Sequence, residues 1–214
     1  MNDHSLTTVI SDFGGVLTTP LIQSFSAIQD HTGIPFELMG KAMGKIEKEE
    51  GRHPLFELET GRMTEVDFLA KIADTLEPEL GHRPELHQFK EIYFEALDPN
   101  QPMIDVMREA KASGRRMALL TNNVREWEPL WRTMLPVDEI FELVVDSGFV
   151  GCRKPEREIY DLTLERLDGP SADECLFVDD IELNCEAAAE LGMSTVHYRY
   201  NDQAIGEIRE ALNL

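Results

Sequence analysis

The sequence predicts an α/β fold: a doubly wound parallel sheet interrupted by one all-helical insertion. Three observations carry this. Short apolar runs recur along the chain and end in polar residues; helical periodicity fills the intervals; and one long stretch after the first run shows helical periodicity alone. The runs are continuous rather than alternating, the pattern of parallel strands covered by helices on both faces. Strand and helix in repeated succession give a Rossmann-like core.

The first run is Thr8-Val9-Ile10. In the stretch that follows, apolar residues share helix faces: Leu21, Phe25 and Ile28; Met39, Met43 and Ile46; Leu69, Ile72 and Leu76; Leu86, Phe89 and Tyr93. Thr64 with Asp67 three residues on is a shorter-armed relative of the capping box and starts one helix. Gly33, Gly51 and Gly61 punctuate the segment. The expected division is a core of residues 1–19 and 100–214 and a helical cap of residues 20–99. In the core, a helix over 102–113 closed by Gly114 leads to Met117-Ala118-Leu119-Leu120. A helix over 127–134 precedes Leu143-Val144-Val145, and a turn from Gly148 to Gly151 precedes a helix over 156–167. Cys175-Leu176-Phe177-Val178, a helix over 181–191 stopped by Gly192, and Ser194-Thr195-Val196-His197 complete the sheet.

At 214 residues and 42% apolar content the chain can bury a core. Its 41 acidic residues against 20 basic ones give a net charge of −21, which argues against phosphate-backbone or anionic-membrane binding by the bulk field. There is no run of ~18 apolar residues, and residues 1–11 lack the basic start and long apolar stretch of a secretory signal. Cys152, Cys175 and Cys185 form no CxxC pair and leave one thiol over. The expectation is a cytoplasmic protein, monomer or homodimer, whose partner is neither nucleic acid nor membrane. Cys152, near Lys154, is a candidate reactive thiol, and Cys175 reads as a core residue.

Ligands of an open parallel sheet bind beyond the carboxyl ends of its strands. Those ends carry Asp12-Phe13-Gly14-Gly15, Thr121-Asn122-Asn123, Arg153-Lys154-Pro155 and Asp179-Asp180, with Asn184 four residues further on. Singly these are turn residues and caps. Together they suit phosphoryl transfer. A phosphate dianion needs donors and positive charge, which Thr121, backbone N–H groups at the following helix start and Lys154 supply. Asp12 and Asp180 would repel each other and the substrate unless a hard divalent cation lies between them, and Mg²⁺ suits such oxygen ligands. One carboxylate can then attack phosphorus, giving an aspartyl-phosphate that water hydrolyses.

These four elements resemble the four motifs of the haloacid dehalogenase-like (HAD) hydrolase superfamily, and the helical insertion resembles its C1-type cap. The resemblance implies that Asp12 is the nucleophile and a metal ligand. It implies that Thr121 and the Asn122 backbone bind phosphate, and that Lys154 offsets charge between nucleophile and phosphoryl group. Asp180 would be the acidic metal ligand, with Asp179 beside it or acting through water, Asn184 orienting that loop, and the Gly14 carbonyl on the metal. One position departs from the pattern. Phosphatases of this superfamily usually carry a second Asp two residues after the nucleophile, as general acid; here it is Gly14. That acid contributes typically ~10²–10⁴-fold, so acyl, aryl or anomeric phosphates should suffer less than alkyl phosphates. Glu49, Glu50 or His53 could approach from the cap as substitutes. Candidate substrate contacts are Arg52, His53, Phe56 and Arg62 on the cap and Phe13 and Trp127 on the core.

The leading expectation is a Mg²⁺-dependent phosphatase of a small phosphorylated metabolite. A phosphate-binding or regulatory protein that has lost turnover is the alternative, followed by a 2-haloacid dehalogenase. The last needs no leaving-group acid but also no metal, which leaves the Asp179-Asp180 pair without a task.

Overall fold

The computed structural model describes residues 5–214; residues 1–4, included in the expected core and in the N-terminal stretch read above, lie outside the described residues. Among these the sheet has five strands, all parallel: β1 (Thr8–Ser11), β2 (Arg116–Thr121), β3 (Leu143–Asp146), β4 (Cys175–Asp179) and β5 (Ser194–His197), in the order β3-β2-β1-β4-β5. The sequence runs are continuous, yet the pleat sends alternate residues to opposite faces. Val9, Leu119, Leu176 and Val178 join one apolar cluster. Ile10, Ala118, Leu120, Cys175 and Phe177 join the other. Both faces are dry, which is why no alternation was written into the sequence.

Between β1 and β2 the chain forms α1 (Ile22–Thr32), α2 (Phe36–Glu50), α3 (Pro54–Glu59), α4 (Glu65–Leu80) and α5 (Phe89–Glu95), then returns through α6 (Gln101–Ala112). In this insert α1 packs on α5 and α2 on α4. Gly33 and Gly51 end α1 and α2 in the left-handed conformation, with φ of 71° and 75°. Thr64 caps α4: its hydroxyl accepts from Asp67 N at 3.1 Å and donates to Asp67 Oδ2 at 2.7 Å. The two connections to the sheet run side by side. Thr18 bridges Pro99, Thr19 N donates to Asp98 O at 2.8 Å, and Asn100 N donates to Leu17 O at 2.8 Å.

After β2 the helix expected over 127–134 is α7 (Glu128–Met134), preceded by a 3₁₀ turn over Arg125–Trp127 and followed by α8 (Val137–Ile140). The expected turn after β3 is a single helical turn, α9 (Ser147–Val150), capped by Asp146 Oδ1 on Gly148 N at 2.8 Å. Then come α10 (Arg157–Arg166), α11 (Glu182–Glu190) after β4 and α12 (Asn201–Leu212) after β5. No described helix is long and apolar enough to cross a membrane.

Candidate active site at the carboxyl edge of the sheet

The order in which strands are added reverses around β1. The chain builds β2 and β3 on one side of it, then crosses back to lay β4 on the other, which makes the edge beyond β1 and β4 the switch point where ligands bind. Register brings the acids together there. Ser11 pairs with Val178, and Asp12 N donates to Val178 O at 2.8 Å, so Asp12 emerges beside Asp179. Ser11 also pairs with Leu119, which leaves Thr121 two residues further along β2 at the same edge.

Lys154 reaches into this corner from the loop after α9. Its side chain is 1% exposed, and its Nζ lies 2.7 Å from Asp12 Oδ1 and 2.6 Å from Asp179 Oδ2. The lysine backbone is fixed by a two-point amide clamp: Lys154 N donates to Asn122 Oδ1 at 2.8 Å, and Asn122 Nδ2 donates to Lys154 O at 2.9 Å. Asp179 Oδ1 accepts from Ile181 N at 2.8 Å and from Asn184 Nδ2 at 3.0 Å. Tyr160, from the far side of the sheet, holds Asn184 by its carbonyl at 3.0 Å. Asp180 is tied through its backbone, whose carbonyl meets His197 Nε2 at 3.1 Å. Gly15, at φ +77°, packs so closely under Asp180 that a Cβ there would collide with its carboxylate.

The electrostatics are lopsided. Three carboxylates, Asp12, Asp179 and Asp180, have oxygens within 4.8 Å of one another and share a single ammonium. Burial pushes the Asp12 carboxyl above its usual range; Lys154 opposes the shift, while Asp179 and Asp180 add to it. Burial and Asp179 push Asp180 upward as well, against Lys154. Burial alone would lower the Lys154 ammonium, but Asp12 and Asp179 more than reverse this and hold it charged. A buried cluster carrying more negative than positive charge, built only of hard oxygen donors, fits a small divalent cation.

Asp12, Gly14, Thr121, Asn122, Lys154, Asp180 and Asn184 all line one cavity of about 370 Å³ that extends under the insert. Phe13 and Trp127 line it too, but Arg52, His53, Phe56 and Arg62 do not. Phe56 is an exposed ring over which Arg153 stacks at 4.0 Å. Arg62 pairs with Glu57 at 3.0 Å and donates to Gly151 O at 3.0 Å. Glu49 and Glu50 are exposed and face elsewhere, Glu50 onto Lys71 at 2.5 Å. The helix-start donors expected after Thr121 are also spoken for, because Asn123 N donates to Ser147 Oγ at 3.0 Å and Val124 N to Asn123 Oδ1 at 2.9 Å. Cys152 is a poor thiolate, its pKa raised by burial and then by Glu156 and Glu158.

Sequence reasoning missed two acids of the insert that line the cavity. Glu59 accepts from Arg153 Nε at 2.7 Å, linking α3 to the loop after α9, and burial pushes its carboxyl up. Glu65 accepts from Trp127 Nε1 at 2.8 Å. Neither has a spacing that marks it; only the closure of insert on core brings them to the cavity.

The chain is similar to bifunctional epoxide hydrolase 2 of Sus scrofa, 26% identical over 218 residues that cover 96% of this chain and 39% of that protein. It is similar to a sesquiterpene phosphatase of Aspergillus oryzae, 31% identical over 121 residues, 53% of this chain and 58% of that one. The chain thus spans less than two thirds of the length of these relatives. In fold it is similar to a HAD family enzyme from Bacteroides thetaiotaomicron in complex with magnesium and inorganic phosphate, with a TM-score of 0.65 and 22% identity over 91% of this chain and 95% of that one. The family model for haloacid dehalogenase-like hydrolases matches residues 6–192, and with that match over a parallel sheet bearing its acids at the carboxyl edge, this chain belongs to the haloacid dehalogenase-like hydrolases.

Proposed function

We propose that this chain is a Mg²⁺-dependent phosphatase that hydrolyses a small phosphorylated substrate through an aspartyl-phosphate on Asp12. The observation that carries the reading is the buried Lys154 ammonium bonded at once to Asp12 and Asp179, with Asp180 completing a carboxylate trio. Asp12, Asp180 and the Gly14 carbonyl would hold the cation, with Asp179 beside them. The bound cation supplies charge neutralisation for the phosphate dianion and for the carboxylates around it.

Lys154 occupies Asp12 Oδ1, which makes Oδ2 the attacking atom. A bond forms between Oδ2 and phosphorus as the bond from phosphorus to the leaving-group oxygen breaks. Thr121 and the Asn122 backbone orient the phosphoryl oxygens, and Lys154 screens Asp12 from them. Water then attacks the phosphorus of the aspartyl-phosphate, which releases inorganic phosphate and restores Asp12. Nothing stands at Gly14 to protonate the departing oxygen, so the leaving group departs as an anion, which favours acyl or aryl phosphates.

The test is hydrolysis of an activated aryl phosphate. We expect turnover that requires Mg²⁺ and disappears in Asp12→Ala. Turnover that persists in EDTA, or in purified Asp12→Ala, excludes the mechanism. A second reading, phosphate binding without turnover, is favoured by one observation: a Cβ at Gly14 would lie 3.3 Å from Leu21 Cδ1, so an apolar wall abuts the place of the usual acid. Phosphate binding with Mg²⁺ but no hydrolysis of any activated phosphate would select it. The trio of acids weighs against the dehalogenase, whose chemistry leaves them idle.

A further inference from the structure

We infer that the phosphoryl group is delivered on an apolar body, an acyl or aryl phosphate whose chain or ring lies in the cavity under the insert. The inference rests on the phosphatase reading and names its substrate class. One continuous cavity holds Asp12, Thr121, Lys154 and Asp180 at its floor and runs up between α1, α2, α4 and α5. Its volume, about 370 Å³, is that of a small-molecule site.

The walls carry partly open members of the helix faces beside the buried Ile28 and Met39. Leu21, Phe25, Met43 and Leu69 belong by periodicity to the apolar faces of the insert, whose other members Ile28, Met39, Ile46, Ile72 and Leu76 are buried. These four stay half-buried, and all four line the cavity. Apolar surface kept open to water in this way is recovered only when an apolar ligand covers it.

The insert offers a sugar few polar groups. Of the polar side chains that the insert contributes, Glu59 is bonded to Arg153, Glu65 to Trp127 and Gln29 to Phe36 N; Tyr93 is the fourth. A sugar would bring several hydroxyls into this space, and each one buried without a partner weakens binding. An acyl or apolar aryl body brings none. Leu21 points the same way. It packs against Gly14, where a leaving-group acid would project, so the wall next to the scissile bond is hydrocarbon rather than a proton donor. The chemistry balances without one. Asp12 Oδ2 takes the phosphoryl group, the bond from phosphorus to the acyl oxygen breaks, and a carboxylate leaves with the electron pair. Water then cleaves the aspartyl-phosphate, giving inorganic phosphate and one proton to solvent.

Alkylphosphonates test the cavity apart from turnover, because the enzyme cannot hydrolyse them. Methyl-, butyl- and octylphosphonate are titrated into the protein with Mg²⁺ by calorimetry. We expect about a 3-fold tightening per methylene until the cavity is full, hence octylphosphonate more than about 100-fold tighter than methylphosphonate. In the double variant Met43→Gln with Leu69→Gln, both at partly exposed positions, that gain should shrink at least about 10-fold. Equal affinities for methyl- and octylphosphonate overturn the inference, and so does a gain that is unchanged in the double variant. Turnover of acetyl and octanoyl phosphate separates the two readings. Acetyl phosphate hydrolysed as efficiently as octanoyl phosphate leaves the phosphatase and removes the apolar substrate. Tight octylphosphonate binding with neither acyl phosphate turned over leaves the apolar ligand and removes the phosphatase.

Discussion

The floor of the cavity and its walls are built in opposite ways. At the floor, Lys154 and Asp179 are almost wholly shielded from solvent, and every oxygen of the Asp179 carboxylate has a partner at 2.6–3.0 Å. On the walls, Leu21, Phe25, Met43 and Leu69 are half-buried side chains held by packing alone. The floor is therefore held from behind: Asn122 clamps the Lys154 backbone, Asn184 with Tyr160 behind it holds Asp179, and His197 meets the Asp180 carbonyl. The insert is bonded to the core at Glu59–Arg153 and Glu65–Trp127, but these four apolar side chains of the walls have no such clamps. A fixed floor supplies preorganised charge, and an apolar wall supplies selectivity.

Changes to the floor should act on kcat and stability, and changes to the wall on substrate preference. The largest effect is expected for Asp12→Ala, which removes the proposed nucleophile and should lower kcat by at least about 10³-fold, measured with an aryl phosphate under saturating Mg²⁺. Next is Lys154→Met. Removing one partner of a buried pair costs about 3–5 kcal/mol, because Asp12 and Asp179 are left without a counter-charge. Denaturant titration should read that loss, and added Mg²⁺ should restore more stability to the variant than to the parent. A Lys154→Met protein as stable as the parent would mean that the floor is not held by this charge.

Wall and floor meet at Gly14. Gly14→Asp alone crowds Leu21, so the informative variant is Gly14→Asp with Leu21→Ala. It should raise kcat/KM for an alkyl phosphate by about 10²-fold, the lower end of what a positioned acid contributes. No gain would show that more than the acid is missing. The smallest effect is expected at Thr64, which does not itself line the cavity. Thr64→Ala removes the α4 cap and should cost about 1 kcal/mol of stability while leaving kcat unchanged.

The same contrast describes what could be read from the sequence. The strands were legible because a strand dry on both faces must be apolar throughout, as Val9-Ile10 and Leu176-Phe177-Val178 are. Asp12, Thr121 and Asp180 were legible as candidates because each lies at the end of such a run, and Lys154 because it follows the turn after the third. Their contacts were not. The clamp of Asn122 on Lys154 spans 32 residues and that of Glu59 on Arg153 spans 94, and no local pattern encodes either. Periodicity assigned Phe25 and Leu69 to an apolar face but could not say whether that face meets another helix or an open cavity. The loop after β2 was misread for a physical reason: helical periodicity beginning at Trp127 says nothing of the 3₁₀ turn before it, nor that Ser147 and the Asn123 side chain take the loop's N–H groups.

The central claim is that phosphorus passes through Asp12. Acid quenching of the protein during turnover of an acyl phosphate with Mg²⁺, followed by peptide mass mapping, tests it most directly. The account predicts one added phosphoryl group on the peptide that carries Asp12, absent when EDTA replaces Mg²⁺. Steady turnover with the phosphoryl group on a different residue would contradict it.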